Sequence, residues 1–266
     1  AKLSLWFPSE DNSLMKSLFV SSLKRAFVSK WYIASIIATV FMCYVSSREY
    51  IDGIGSNSVY TIDLMIHLGM FKKVMVFFSS IPFVTVYCQD CNSGYIKSII
   101  VRSGERNYAW SNVVVCALSG FTSIFVGIMT YFGMVSFFCP PQPYETPDVY
   151  SYIALNSPIL YVFLIVSVFS LYATMWTIVG LTFSSVLPDN YVALGSPLIF
   201  GYLLEEMTLG LPPYLNLYNL SHCFAVFDKS PLLNCFYTIG VFILIMAISG
   251  CIFSHFVKRR SRNEMV

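Results

Sequence analysis

Long apolar runs separated by short polar segments dominate this chain. Residues 31–47, 74–89, 107–144, 149–188, 190–204 and 230–257 contain no Lys, Arg, Asp or Glu. A helix needs about 20 apolar residues to cross the core of a bilayer, and the two longest runs each hold one such helix plus a loop. The pattern predicts six spans, near residues 30–46, 66–89, 108–133, 157–184, 191–207 and 232–257. The second has the least defined boundary. Lys72 and Lys73 either mark its outer end or lie in the outer third of a helix starting near Leu64, with their ammonium groups snorkelling to the interface.

The connecting segments are patterned as well. In residues 12–28, Leu14, Met15, Leu18, Phe19, Leu23, Ala26 and Phe27 recur at spacings of three and four, while Lys16, Ser17, Ser21, Lys24 and Arg25 occupy other faces. This predicts a basic amphipathic helix lying in the inner interface, with Asp11 or Asn12 as its N-cap. Residues 95–102 predict a short helix stopped by Ser103–Gly104. Tyr95, Ile96, Ile99 and Ile100 make one apolar side, and Lys97 and Arg102 supply charge. Aliphatics on such a helix need a cover of lipid or protein. The connection at 134–156 is proline-rich and irregular. Segment 208–231 is apolar yet broken by Pro212–Pro213, which predicts short pieces dipping into the outer leaflet. Within it, Asn219–Leu220–Ser221 has the form of a glycosylation sequon.

Composition sharpens the class. Hydrophobic residues make up 56% of the 266 and charged residues 11%, against roughly 25% charged in soluble domains. That excludes a soluble enzyme, a disordered tail and a nucleic-acid-binding domain. The net charge of +2 is uninformative, but the placement of the cations is not. With six spans and an inner N-terminus, Lys2, Lys16, Lys24, Arg25, Lys30, Lys97, Arg102, Arg106, Lys258, Arg259, Arg260 and Arg262 lie inside, and Arg48, Lys72, Lys73 and Lys229 outside. The excess inside predicts cytosolic termini. No signal-peptide pattern is present in residues 1–12.

Candidate chemistry is sparse. The eight cysteines are dispersed. Cys88 and Cys91 form a CxxC without a second pair or a nearby His, which reads as a helix end rather than a zinc or redox site. Glu205–Glu206 resembles the start of the EExxxR motif of CAAX-type membrane proteases, but Gly210 stands where the Arg belongs and no His has Phe four positions before it. A rhomboid-like nucleophile fails at Gly195–Ser196–Pro197, where small residues should follow the serine. His67 and His222 fall outside and His255 lies beside Lys258, each in a structural or surface role. The predicted spans hold few ionisable groups, which argues against an ion relay. Glu205 and Glu206 lie about 22 Å along the fifth span, near its outer end. Lys72 or Lys73 facing Glu205 or Glu206 is the expected outer gate. Ser119, Ser123 and Gly127 form a stripe of small residues suited to close packing within the subunit.

The order of features resembles the membrane subunit of type-2 ABC permeases, the exporter-type family. The resemblance rests on the basic helix before the first span, the six spans and the short helix after the second. It also rests on Ile99 through Tyr108 leading into the third span, and on the broken segment around Pro212–Pro213–Tyr214–Leu215. It implies an all-α, polytopic plasma-membrane protein forming one transmembrane domain over residues 1–266. Tyr95, Ile96, Lys97, Ile99, Ile100 and Arg102 would form a coupling helix, with Gly104, Glu105 and Arg106 turning the chain into the third span. No G-x-x-x-x-G-K-[ST] is present, so ATP and Mg would sit on a separate ABC ATPase subunit. This chain would carry no cofactor, metal site or catalytic residue. A second permease subunit, identical or related, would complete the transporter. The implied activity is export of an amphipathic or hydrophobic peptide, lipid or drug. The alternatives are an ATP-independent channel or secondary transporter and, behind them, an intramembrane protease.

Overall fold

A computed structural model describes residues 9–51, 57–146, 150–221, 226–227 and 230–264. Every regular element among them is a helix. In chain order these are α1 (Ser9–Phe27), α2 (Lys30–Ile51), α3 (Ser58–His67), α4 (Gly69–Ser80), α5 (Val86–Asn92) and α6 (Tyr95–Ser103). There follow α7 (Glu105–Ser136), α8 (Ser151–Asn156), α9 (Pro158–Val186), α10 (Asn190–Thr208), α11 (Leu217–Ser221) and α12 (Pro231–Glu264). Four of them, α2, α7, α9 and α12, are long and apolar enough to cross a membrane.

The predicted second span is not one helix. α3 ends at His67, and Leu68 is extended at φ −72° and ψ 114°. α4 then runs to Ser80, and residues 81–85 turn around Pro82 before α5. Pro82 lacks the N–H that would continue the ladder, and α4 ends two residues before it. The expected continuous helix starting near Leu64 is thereby corrected, because Lys72 and Lys73 sit near the start of the separate helix α4. The predicted fifth span forms as the continuous helix α10, whose N-cap Asp189 accepts the Tyr191 N–H at 2.7 Å. It contains Pro197, Glu205 and Glu206 and is not one of the four strongly apolar helices.

Helix α9 is the centre of the bundle and packs on α7, α12, α10 and α4. Tyr172, Ala173, Met175 and Trp176 on it are buried. Small residues set the spacing elsewhere. Ser119, Ser123 and Gly127 of α7 are all buried, and a Cβ added at Gly127 would lie 2.5 Å from Thr39 Cγ2 on α2. The stripe therefore packs within the chain. Polar side chains tie helices across the same interior: Ser79 Oγ lies 2.7 Å from Thr177 Oγ1, and Ser35 Oγ donates to the Phe78 carbonyl at 2.8 Å.

Two buried clusters divide the length of the bundle. The larger joins α2, α3, α4, α7, α9 and α12 and includes Cys43, Ile62, Ile128, Tyr161 and Phe242. The smaller joins Ala26 of α1, Tyr87 of α5, Ile96 and Ile100 of α6, Tyr108 of α7, Leu181 of α9 and Phe253 of α12. The apolar side of α1, with Phe19, Leu23 and Phe27, packs against this second cluster.

Candidate functional site

Helix α6 owes its position to two glycines and two isoleucines. Gly94 at φ 71° and Gly104 at φ 80° flank it. Both values lie in the region that side-chain-bearing residues avoid. Between these corners, Ile96 and Ile100 turn inward and are buried, while Ile99 is half-buried. The outward face presents Tyr95, Lys97, Val101 and Arg102. The expected apolar side is thus split: Ile96 and Ile100 anchor the helix, whereas Tyr95 faces away. Val101, outside the expected set, is 77% exposed and supplies the aliphatic part of the outward patch. Glu105 is half-buried and opens α7.

The surroundings of α6 are braced by a charge. Arg25 of α1 donates through both terminal nitrogens to Asp90 of α5, at 2.7 and 3.3 Å, and Tyr108 of α7 donates to the same carboxylate at 2.9 Å. Burial pulls the Arg25 pKa down, but the hydrogen bond and charge of Asp90 outweigh it, and the net shift is upward. A two-pronged guanidinium–carboxylate contact fixes orientation as well as distance, so α1, α5 and α7 meet in one defined arrangement beside α6.

A second polar constellation lies where α4 meets α10. Lys72 and Glu205 are both buried and form an ion pair. Lys72 Nζ also donates to Ser221 Oγ of α11 at 3.1 Å and lies 4.7 Å from the centre of the Tyr218 ring and 5.7 Å from that of Tyr172. The Tyr172 hydroxyl is 3.5 Å from Glu205 Oε2. The free space beside the pair is about 10 Å³, no more than one water needs. Of the four residues expected at an outer gate, the structure brings Lys72 to Glu205. Lys73 instead lies 4.1 Å over the Tyr202 ring, and Glu206 is exposed.

A third carboxylate, Asp63 of α3, accepts from Tyr144 at 2.7 Å and from Tyr161 of α9 at 2.9 Å. This draws the proline-rich connection after α7 onto the bundle, and Asn57 reinforces it through the backbone of Gln142. The interior thus holds four ionisable side chains, Asp63, Lys72, Asp90 and Glu205, all buried; Asp63 and Asp90 lie just outside the predicted spans. Sequence reading missed Asp63, Asp90, Arg25 and Tyr108 as partners. The available signal was an isolated acid inside an apolar stretch, which is expensive to bury unless it is paired.

Among the described residues there is no group of three or more His, Cys, Asp or Glu side chains that could hold a metal ion. Cys88 and Cys91 are not joined in a disulfide. His222 and Lys229 lie outside the described residues. Comparison with family models, with curated proteins and with solved structures finds no match.

Proposed function

We propose that this chain is the transmembrane permease subunit of an ATP-driven exporter, with its ATPase on a separate polypeptide. In this reading the chain crosses the plasma membrane six times, through α2, the broken α3–α5 segment, α7, α9, α10 and α12, with both termini in the cytosol. The observation that carries it is α6, a short helix held at both ends by backbone corners. It is anchored inward by Ile96 and Ile100 and presents Tyr95, Lys97, Val101 and Arg102 outward. A face of one aromatic, one aliphatic and two cations suits a docking cleft on another protein. Closure of an ATPase dimer around ATP and Mg would move α6 as a rigid piece. Because Ile96 and Ile100 share a cluster with α1, α5, α7, α9 and α12, the displacement would pass to those helices together. The Lys72–Glu205 pair would close the outer route between α4 and α10. A second copy or relative would complete the translocation path for an amphipathic or hydrophobic peptide, lipid or drug.

The buried Lys72–Glu205 pair also favours a second reading, an ATP-independent secondary transporter, since intramembrane charges mark ion or substrate paths. One experiment separates the two. The chain is tagged, co-expressed with the ATPase encoded beside it and purified, alongside Val101→Asp with Arg102→Glu. Both substitutions lie on the exposed face of α6 and leave its anchors intact. The permease reading expects the ATPase to co-purify with the wild type and not with the variant. Purification of the wild type without any ATPase, together with substrate flux in vesicles lacking ATP, would sink it in favour of the secondary transporter.

A further inference from the structure

We infer that the groove between the first turn of α7 and the last third of α12 binds the phosphate of an anionic phospholipid headgroup. The groove has a volume of about 580 Å³ and is lined by Gly104, Glu105, Arg106, Asn107, Ser254 and Lys258. It lies at the start of α7 and in the last turns of α12, two helices long and apolar enough to cross a membrane. A polar groove at that level meets the headgroup layer of a bilayer. Its cations come from two different elements, Arg106 and Lys258, and among the described residues neither forms an ion pair. Glu105 lies on the same wall, so the lining carries two positive charges and one negative. The resulting single positive charge matches one phosphodiester.

The backbone adds to this. α7 is 32 residues long, and its N-cap Gly104 offers no side-chain hydrogen bond to the first turn. Nothing lies within 4 Å of where a Gly104 side chain would begin. The start of α7 thus has no side-chain cap from Gly104, and the positive end of the helix dipole there favours an anion. On α12, Ser254 and Lys258 share a face that continues one and two turns deeper as the exposed small residues Cys251 and Ala247. That strip gives an acyl chain a track leading away from the headgroup. A basic pocket between membrane helices on the cytosolic side is a recurrent setting for anionic lipid. The opposite arrangement occurs between α2 and α7, where a groove of about 750 Å³ is lined by Ile36, Ile37, Phe41, Met134 and other apolar side chains and offers a phosphate nothing.

The test is native mass spectrometry of the detergent-purified full chain with phosphatidylglycerol, with phosphatidylcholine, and with phosphatidylglycerol plus excess inorganic phosphate. The wild type should retain phosphatidylglycerol at least tenfold better than phosphatidylcholine, and inorganic phosphate should not displace it. Arg106→Gln with Lys258→Gln should lose at least tenfold, whereas Arg106→Lys with Lys258→Arg, which keeps the charges, should retain binding and controls for folding. Equal retention of both lipids by the wild type would overturn the inference, as would undiminished binding by the glutamine variant. Displacement by inorganic phosphate would replace the lipid with a soluble phosphate as the ligand. Failure of the ATPase to co-purify leaves this result untouched, since the site requires only a membrane.

Discussion

Removing one partner of the Lys72–Glu205 pair should damage the fold more than removing both. Lys72→Met takes away the ammonium group and leaves the Glu205 carboxylate buried. It keeps the Tyr172 hydroxyl at 3.5 Å, the outer limit of a hydrogen bond. An uncompensated buried charge of this kind costs about 3–5 kcal/mol. The methionine keeps most of the lysine stem, so little of the loss comes from packing. Lys72→Met with Glu205→Leu removes both charges, and an apolar replacement of a buried pair is often neutral or stabilising, so the double variant should lie within about 1–2 kcal/mol of the wild type. The assay is thermal unfolding in one detergent for the wild type, both single variants and the double. At roughly 2–4 °C per kcal/mol, Lys72→Met should melt about 6–20 °C lower and the double variant should recover most of that. If the two single losses simply add in the double, the side chains are not coupled and the pairing is wrong.

Two further outcomes follow from other contacts. Asp90→Asn weakens the links from Arg25 and Tyr108, each a charge-assisted bond of about 1.5–3 kcal/mol; hydrogen–deuterium exchange should accelerate in α1 well before it does in α9, and uniform acceleration would show that Asp90 is not what tethers α1. Gly127→Ala forces a Cβ to within 2.5 Å of Thr39 and should destabilise by about 1–3 kcal/mol; Thr39→Ala should relieve most of this in the double variant, and the absence of rescue in melting would mean that α2 and α7 do not meet there.

Much of the helical layout is written in the apolar pattern. The runs around 108–133, 157–184 and 232–257 correspond to α7, α9 and α12, and the spacing in 12–28 and 95–102 to α1 and α6. Such runs report that a segment is to be buried or in lipid, and five of the six predicted segments, at α2, α7, α9, α10 and α12, form as continuous helices. They do not report backbone continuity, which is why Leu68 breaks the second predicted span unannounced, whereas the break at Pro82 is legible from the proline itself. Pairing across the bundle is harder still to read. Asp90 and Arg25 are 65 positions apart and Lys72 and Glu205 are 133 apart. Charge complementarity suggested the second pair, because both residues fall near the same end of their segments. Nothing in spacing told Lys72 from Lys73. That choice is made by the rotation of α4 about its axis, which depends on how Phe71 and Met75 pack into the core.

The glycine corners around α6 separate two kinds of information. Gly94 and Gly104 fix where the helix stands through backbone torsion, and Ile96 and Ile100 fix its depth. In the docking role proposed for α6, these corners and anchors would be the mount, and Tyr95, Val101 and Arg102 on the outward face would be the address that a partner reads. Divergence among copies of such a chain would then collect on that face first and leave the mount unaltered.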